Sequence, residues 1–226
     1  MRKLFIYLLL LLIPVVNNAG IDEADFKLQL VPDTYTSINL REAGLDRGVF
    51  HLALIGLRKL DGSGKLTNPH IITIADYSQS STKKRLYVID LKNRKLLFNT
   101  YVAHGRNTGE NYPRSFSNDE GSLKSSLGFF VTEQTMTGAT VGLALQLQGM
   151  EKGINDNAVK RAIIMHGGDY VSESFIKEHG RLGRSLGCPA LPLELTKPII
   201  ETIKGGSCMF IYNPDNNYFA QSTLLN

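Results

Sequence analysis

The chain has 226 residues, 25 of them Lys or Arg and 21 Asp or Glu, with a net charge of +4, 42% hydrophobic residues and only two cysteines. That length accommodates one domain with a full core, or one domain plus a small extension. The slight basic excess gives no argument for nucleic acid as a partner, and two cysteines are too few for a disulfide-stapled scaffold.

The chain begins MRKLFIYLLLLLIPVVNNAG, with Arg2 and Lys3 ahead of an apolar run that reaches Val16 and then small and polar residues. This is the layout of a secretory signal peptide over residues 1–20, with an uncleaved anchor as the alternative. The run is short against the ~20 residues of a membrane span. Cleavage near Ala19 removes Arg2 and Lys3, so the 25 basic residues fall to 23 against 21 acidic ones and the net charge to +2. The product is expected in the periplasm or cell envelope.

Residues 21–64 form the expected N-terminal extension. Within it, Leu45, Val49, Leu52, Ala53, Leu57 and Leu60 recur at steps of three and four and predict a helix over 41–60 with one buried face. DGSGKLTNP (61–69) breaks it. The expected catalytic domain, 65–226, then changes period. IITIADY (71–77), RLYVIDL (85–91), KLLFNTYVAH (95–104), LGFFVTEQ (127–134), VGLALQLQGM (141–150), RAIIMH (161–166) and SCMFIY (207–212) are β-rich runs separated by turn signals. Two short helices are predicted at 172–179 and 193–204. The fold class is therefore mainly β, a largely antiparallel sandwich or barrel-like sheet with a few short helices and an N-terminal helix.

Chemistry concentrates in two segments. RAIIMH runs into HGGD, which sets His166 where a strand ends, and 22 positions later GRSLGCPALP (183–192) carries Cys188. A thiol whose free pKa is about 8.5 needs a base to act near neutrality, and imidazole is the common one. Gly187 leaves room for a substrate carbonyl and frees backbone N–H groups toward a developing oxyanion. On pattern alone His166 is equally a satisfied structural histidine. The order His then Cys argues against papain-like and related peptidases, and no Arg follows Cys188 as it does in sortases. His51, His70, His104, His166 and His179 show no metal-ligand spacing, so no metal and no cofactor are expected. In an oxidising compartment two cysteines would by default form a disulfide, but Cys208 in SCMFIY sits in a run that predicts a buried strand, which favours two free thiols.

IIMHG (163–167) together with GRSLGCPALP resembles the signature of the YkuD-type L,D-transpeptidases, most closely the murein L,D-transpeptidase catalytic domain family, with supporting segments from about Leu45 to Tyr212. The resemblance implies Cys188 as nucleophile, His166 as base, the Gly167 carbonyl as holder of the second imidazole nitrogen, and backbone N–H groups around Gly187 and Cys188 as the oxyanion site. It implies peptidoglycan stem peptides as substrate, a thioester formed with release of D-alanine, resolution by the amine of a second stem or another wall component, and susceptibility to carbapenem-type inhibitors. Water as acceptor would make the site an L,D-carboxypeptidase, and an inactive wall-binding protein of the same fold is the non-enzymatic alternative. Leu186 stands where most members have a second His, and Pro189, Ala190 and Leu191 where many have an Arg. Arg184, with Arg181 beside it, is a candidate for meeting a stem carboxylate in place of that Arg, or a solvated loop residue. Ser185, His104 and Tyr170 complete the candidate substrate contacts, each with a structural role as its alternative.

Overall fold

The computed structural model describes residues 34–226; the leader expected over 1–20 and the first part of the extension lie outside the described residues. The elements run α1 (Arg47–Gly62), β1 (Ile71–Asp76), β2 (Leu86–Asp90), β3 (Lys95–Thr100), β4 (Gly128–Gly138), β5 (Gly142–Gly149), β6 (Ile164–Gly167), α2 (Glu173–His179), β7 (Ala190–Leu191), α3 (Leu193–Ile203), β8 (Cys208–Tyr212) and α4 (Asn216–Gln221).

Helix α1 starts six residues later than its apolar spacing predicts. Gly44 has φ +90°, a conformation that ends any helical path through it, and Asp46 caps the new start by accepting from the N–H groups of Gly48 at 2.7 Å and Val49 at 3.2 Å. Its buried face, Val49, Phe50, Ala53, Leu54, Leu57 and Leu60, merges with β1, β2, β4 and β8 in one core. Gly56 allows the closest approach, because a Cβ there would lie 2.1 Å from the Phe129 ring of β4, which stacks on Phe210 of β8 with centroids 4.2 Å apart. The helix is thus part of the folding unit and does not stand apart from it.

All eight strands form one sheet in the order β3-β2-β1-β8-β4-β5-β6-β7. Most pairs are antiparallel, as expected, but β1 with β8 and β6 with β7 are parallel. β1 is buried at all six positions, so its unbroken apolar run reflects cover on both faces. The run predicted through His104 leaves its sheet neighbour at Thr100. The next residues cross to the opposite edge, where Ala103 and Ala190 exchange N–H···O bonds of 2.9 and 3.3 Å and Gly105 bridges Ser185. This tie joins the β3 side to the β7 side and makes the sheet nearly a closed barrel.

The predicted strand from Arg161 begins only at Ile164, because Ala162 has φ +52° and breaks the extended path. β7 is two residues long and α4 follows the last predicted strand; neither has a sequence signal of its own. Glu151 anchors α4. It is buried, and its carboxylate accepts from Phe129 N–H at 2.8 Å, Tyr218 Oη–H at 3.2 Å and the Ser222 hydroxyl, while burial pushes its pKa up. Every partner is a donor, so an amide at this position would turn its NH2 toward a donor. Glu151→Gln is expected to lower stability by about 1–3 kcal/mol in chemical denaturation; an unchanged midpoint would show that Glu151 does not hold α4.

Candidate active site

Cys188 and His166 are brought together by the short parallel pairing of β6 and β7. His166 is in register with Ala190, and its N–H donates to the Pro189 carbonyl at 3.4 Å. Cys188, two residues before Ala190, therefore lies at the mouth of this pairing. Its Sγ is 3.7 Å from the Ala162 carbonyl oxygen, near the Ile164 N–H and the Arg161 guanidinium. The His166 ring is buried, with Nδ1 at 2.8 Å from the Gly167 carbonyl. A carbonyl can only accept, so in the neutral ring Nδ1 carries the hydrogen and Nε2 is left with the lone pair. That is the tautomer a general base needs.

The loop before Cys188 is pinned from within. Ser185 Oγ accepts the Gly187 N–H at 3.1 Å and donates to the Cys188 carbonyl at 2.5 Å. Gly187 has φ +131°, and a Cβ on it would sit 3.0 Å from the Lys124 carbonyl oxygen and 3.1 Å from Ile163. Ser125 holds the other side, donating to Gly187 O at 2.9 Å and accepting Gly105 N–H at 3.0 Å. The Gly187 N–H is engaged by Ser185 and Pro189 has none, so neither offers a free donor beside Cys188. Ser185 braces the loop by accepting and donating through its hydroxyl.

His104 lies in the interior of the fold. It is completely buried, its Nδ1 accepting from Arg85 Nη2 at 2.8 Å and its Nε2–H donating to the Gly109 carbonyl at 3.2 Å. Burial, and after it the Arg85 charge, push its pKa down to about 3, so the ring is neutral. Arg85, likewise buried, donates further to Gln79 O at 2.7 Å and Val102 O at 3.0 and 3.2 Å and lies 4.8 Å from the Tyr77 ring centroid. Tyr77 in turn donates to Ala103 O at 3.0 Å. This cluster sits beneath the segment that binds the nucleophile loop, and His104 O accepts the Ser185 N–H at 3.0 Å. His104 is thus a scaffold residue.

Tyr170 is half-buried against Gly168 and Gly183 and in electrostatic range of Cys188; burial chiefly, then that neighbour, push its hydroxyl up to about 12. It remains a neutral hydroxyl. Arg184 and Arg181 both bind the Glu110 carboxylate. Leu186 is 61% exposed beside the nucleophile. Cys208 is buried in β8 and, like Cys188, is a free thiol.

Sequence inspection missed Arg161. Its half-buried guanidinium donates to Ser117 O at 2.7 Å, Ser126 Oγ at 2.6 Å, Ser122 Oγ at 3.1 Å and Lys124 O at 2.6 Å. It ties the 117–126 segment to the nucleophile and sets a positive charge near Sγ. The only sequence signal was a basic residue opening an otherwise apolar strand.

The sequence pattern of the L,D-transpeptidase catalytic domain family covers residues 41–212, which include both His166 and the Cys188 loop. The chain belongs to this family. No curated protein matches it. Among solved structures, the chain is similar to an L,D-transpeptidase from Mycobacterium smegmatis at 10% identity, covering 64% of this chain and 59% of that one with a TM-score of 0.39. It is also similar to the helical cell shape determining protein Pgp2 from Campylobacter jejuni, in a mutant form, at 15% identity over 76% of this chain and 58% of that one, TM-score 0.45. A third is the LD transpeptidase LdtMt1 in complex with imipenem, at 12% identity over 63% and 59%, TM-score 0.38. The chain spans only 58–59% of the length of these three proteins.

In this L,D-transpeptidase domain, burial pushes the Cys188 thiol above its ordinary value, opposed by the Ile164 N–H and by Arg161. Alkylation of Cys188 by iodoacetamide should keep accelerating beyond pH ~8.5, the free-thiol value, and Arg161→Gln should move the midpoint higher still, with Arg161→Lys in between. A plateau near neutrality in wild type, or a midpoint indifferent to Arg161, would contradict this electrostatic picture.

Proposed function

We propose that the protein is a secreted cysteine acyltransferase that acts on peptidoglycan stem peptides. The observation that carries this is the Nδ1 contact of His166 with Gly167 O at 2.8 Å, on a strand paired with the Cys188 loop. Together with family membership it supports a general base facing a thiol.

Cys188 Sγ attacks the carbonyl carbon of the third stem residue while its proton passes to His166 Nε2. The oxyanion is met by the Cys188 N–H. Collapse of the tetrahedral species breaks the bond to D-alanine, whose amine takes the proton from His166, and a thioester remains. An acceptor amine then attacks the thioester carbonyl; His166 removes a proton from that amine and returns it to the departing sulfur. Proton transfer to His166 during attack is a general-base role, typically worth about 10²–10⁴-fold in rate. Tyr170, a half-buried hydroxyl in electrostatic range of Cys188, is a candidate contact for the bound peptide. A carbapenem, whose β-lactam carbonyl is an acyl donor of the same kind, should acylate Cys188.

Intact-mass analysis after exposure to imipenem should show one adduct on wild type and none on Cys188→Ala, with His166→Ala acylating about 10²–10⁴-fold more slowly. An adduct that persists in Cys188→Ala, or none on wild type, would overturn the assignment. Digested walls treated with the protein should then contain new 3-3 cross-links; tripeptides without cross-links would make it a carboxypeptidase.

A further inference from the structure

Beside the nucleophile loop, two arginines converge on one carboxylate that belongs to the protein itself. Arg181 Nε is 3.0 Å from Glu110 Oε2, and Arg184 Nη1 is 2.6 Å from Oε1. The partners are unequal in their setting: the arginine side chains are 25% and 21% exposed, and that of Glu110 is 71% exposed.

Each guanidinium is also held by main-chain carbonyls. Arg184 Nη1 donates to Arg106 O at 3.2 Å and Gly109 O at 3.3 Å, and Arg181 Nη1 to Leu182 O at 2.8 Å. The loop that bears Glu110 is fixed without its side chain: Thr108 N–H donates to Gly105 O, the N–H groups of Arg114 and Ser115 to Thr108 O, and His104 Nε2–H to Gly109 O. Withdrawing the carboxylate would therefore leave both cations in position and the loop intact. Arg184 adjoins Ser185, whose hydroxyl donates to the Cys188 carbonyl, so the arginine is carried on the same loop as the thiol.

We propose that Arg181 and Arg184 form a subsite for a carboxylate of the incoming peptide, and that Glu110 occupies it as an internal stand-in which the peptide displaces. This rests on the proposed action on wall peptides, which are rich in carboxylates. An exposed ion pair contributes at most about 1 kcal/mol, so displacement costs little, whereas two arginines freed to face a bound carboxylate gain charge-assisted hydrogen bonds. Glu110 thereby sets selectivity: it neutralises the pair against stray anions and yields only to a ligand that is also held elsewhere in the cleft.

Binding of a stem tetrapeptide, of the same peptide with its carboxylates amidated, and of N-acetyl-D-alanine can be followed by the Arg Nε–H signals and by calorimetry in the Cys188→Ala background. Glu110→Gln should tighten the free-acid peptide about two- to fivefold, the range set by an exposed ion pair, and leave the amidated peptide unchanged. Arg184→Gln should bring the free-acid peptide down to the amidated level and cancel the gain in the Glu110→Gln/Arg184→Gln double variant. If Glu110→Gln weakened binding or left it unchanged, Glu110 would be a brace for the arginines and the subsite would be overturned. A tetrapeptide that fails while N-acetyl-D-alanine gains affinity in Glu110→Gln would sink the wall-peptide reading and uphold the subsite; no gain with either probe would overturn the subsite.

Discussion

The tie between Ala103 and Ala190 is the constraint on which the site depends. It joins the two edges of an eight-stranded sheet, and Ala190 is at the same time the register partner of His166. One short strand thus carries the Cys188 loop on its N-terminal side, His166 on one flank and the buried scaffold segment on the other. Two residues of strand would be too little to fold independently; they are held because both neighbours are fixed by large buried elements, β5 beyond β6 on one side and the Arg85–His104–Tyr77 cluster on the other.

That cluster is an unusual use of charge. Arg85 is buried with no carboxylate in hydrogen-bond contact among its described partners, and carbonyls, a neutral imidazole and an aromatic face take the place of one. A buried ion is tolerated only when its donors are satisfied, and here each satisfied donor also locates a piece of backbone next to the nucleophile loop. The same economy holds around Cys188: Ser185 and Ser125 are spent on main-chain atoms, and Arg161 on two carbonyls and two serine hydroxyls, so the loop is fixed in shape.

Much of this was legible in the sequence wherever the determining contacts are local. The three-and-four spacing of Val49, Ala53, Leu57 and Leu60 marks α1, and the β-rich runs mark seven of the eight strands. His166 before glycine and Cys188 after glycine stand out because their chemistry requires those neighbours. What was hidden depends on residues far apart in the chain. β7 is too short to have a period, the parallel β1–β8 pair joins residues more than a hundred positions apart, and the left-handed Ala162 has no signature in its residue type. His104 has the same strand-end, glycine-following pattern as His166, yet it points into the scaffold and not into the cleft; only the crossing of the sheet edge at Thr100 separates the two.

The proposed chemistry turns on His166 acting as a base with its Nδ1–H committed to the Gly167 carbonyl. The most direct measurement is the ¹⁵N spectrum of the His166 imidazole in the free protein near neutral pH. A protonated Nδ1 with an unprotonated Nε2 that is perturbed when Cys188 is acylated is the predicted result. An Nε2–H tautomer, or a ring indifferent to acylation of Cys188, would contradict it.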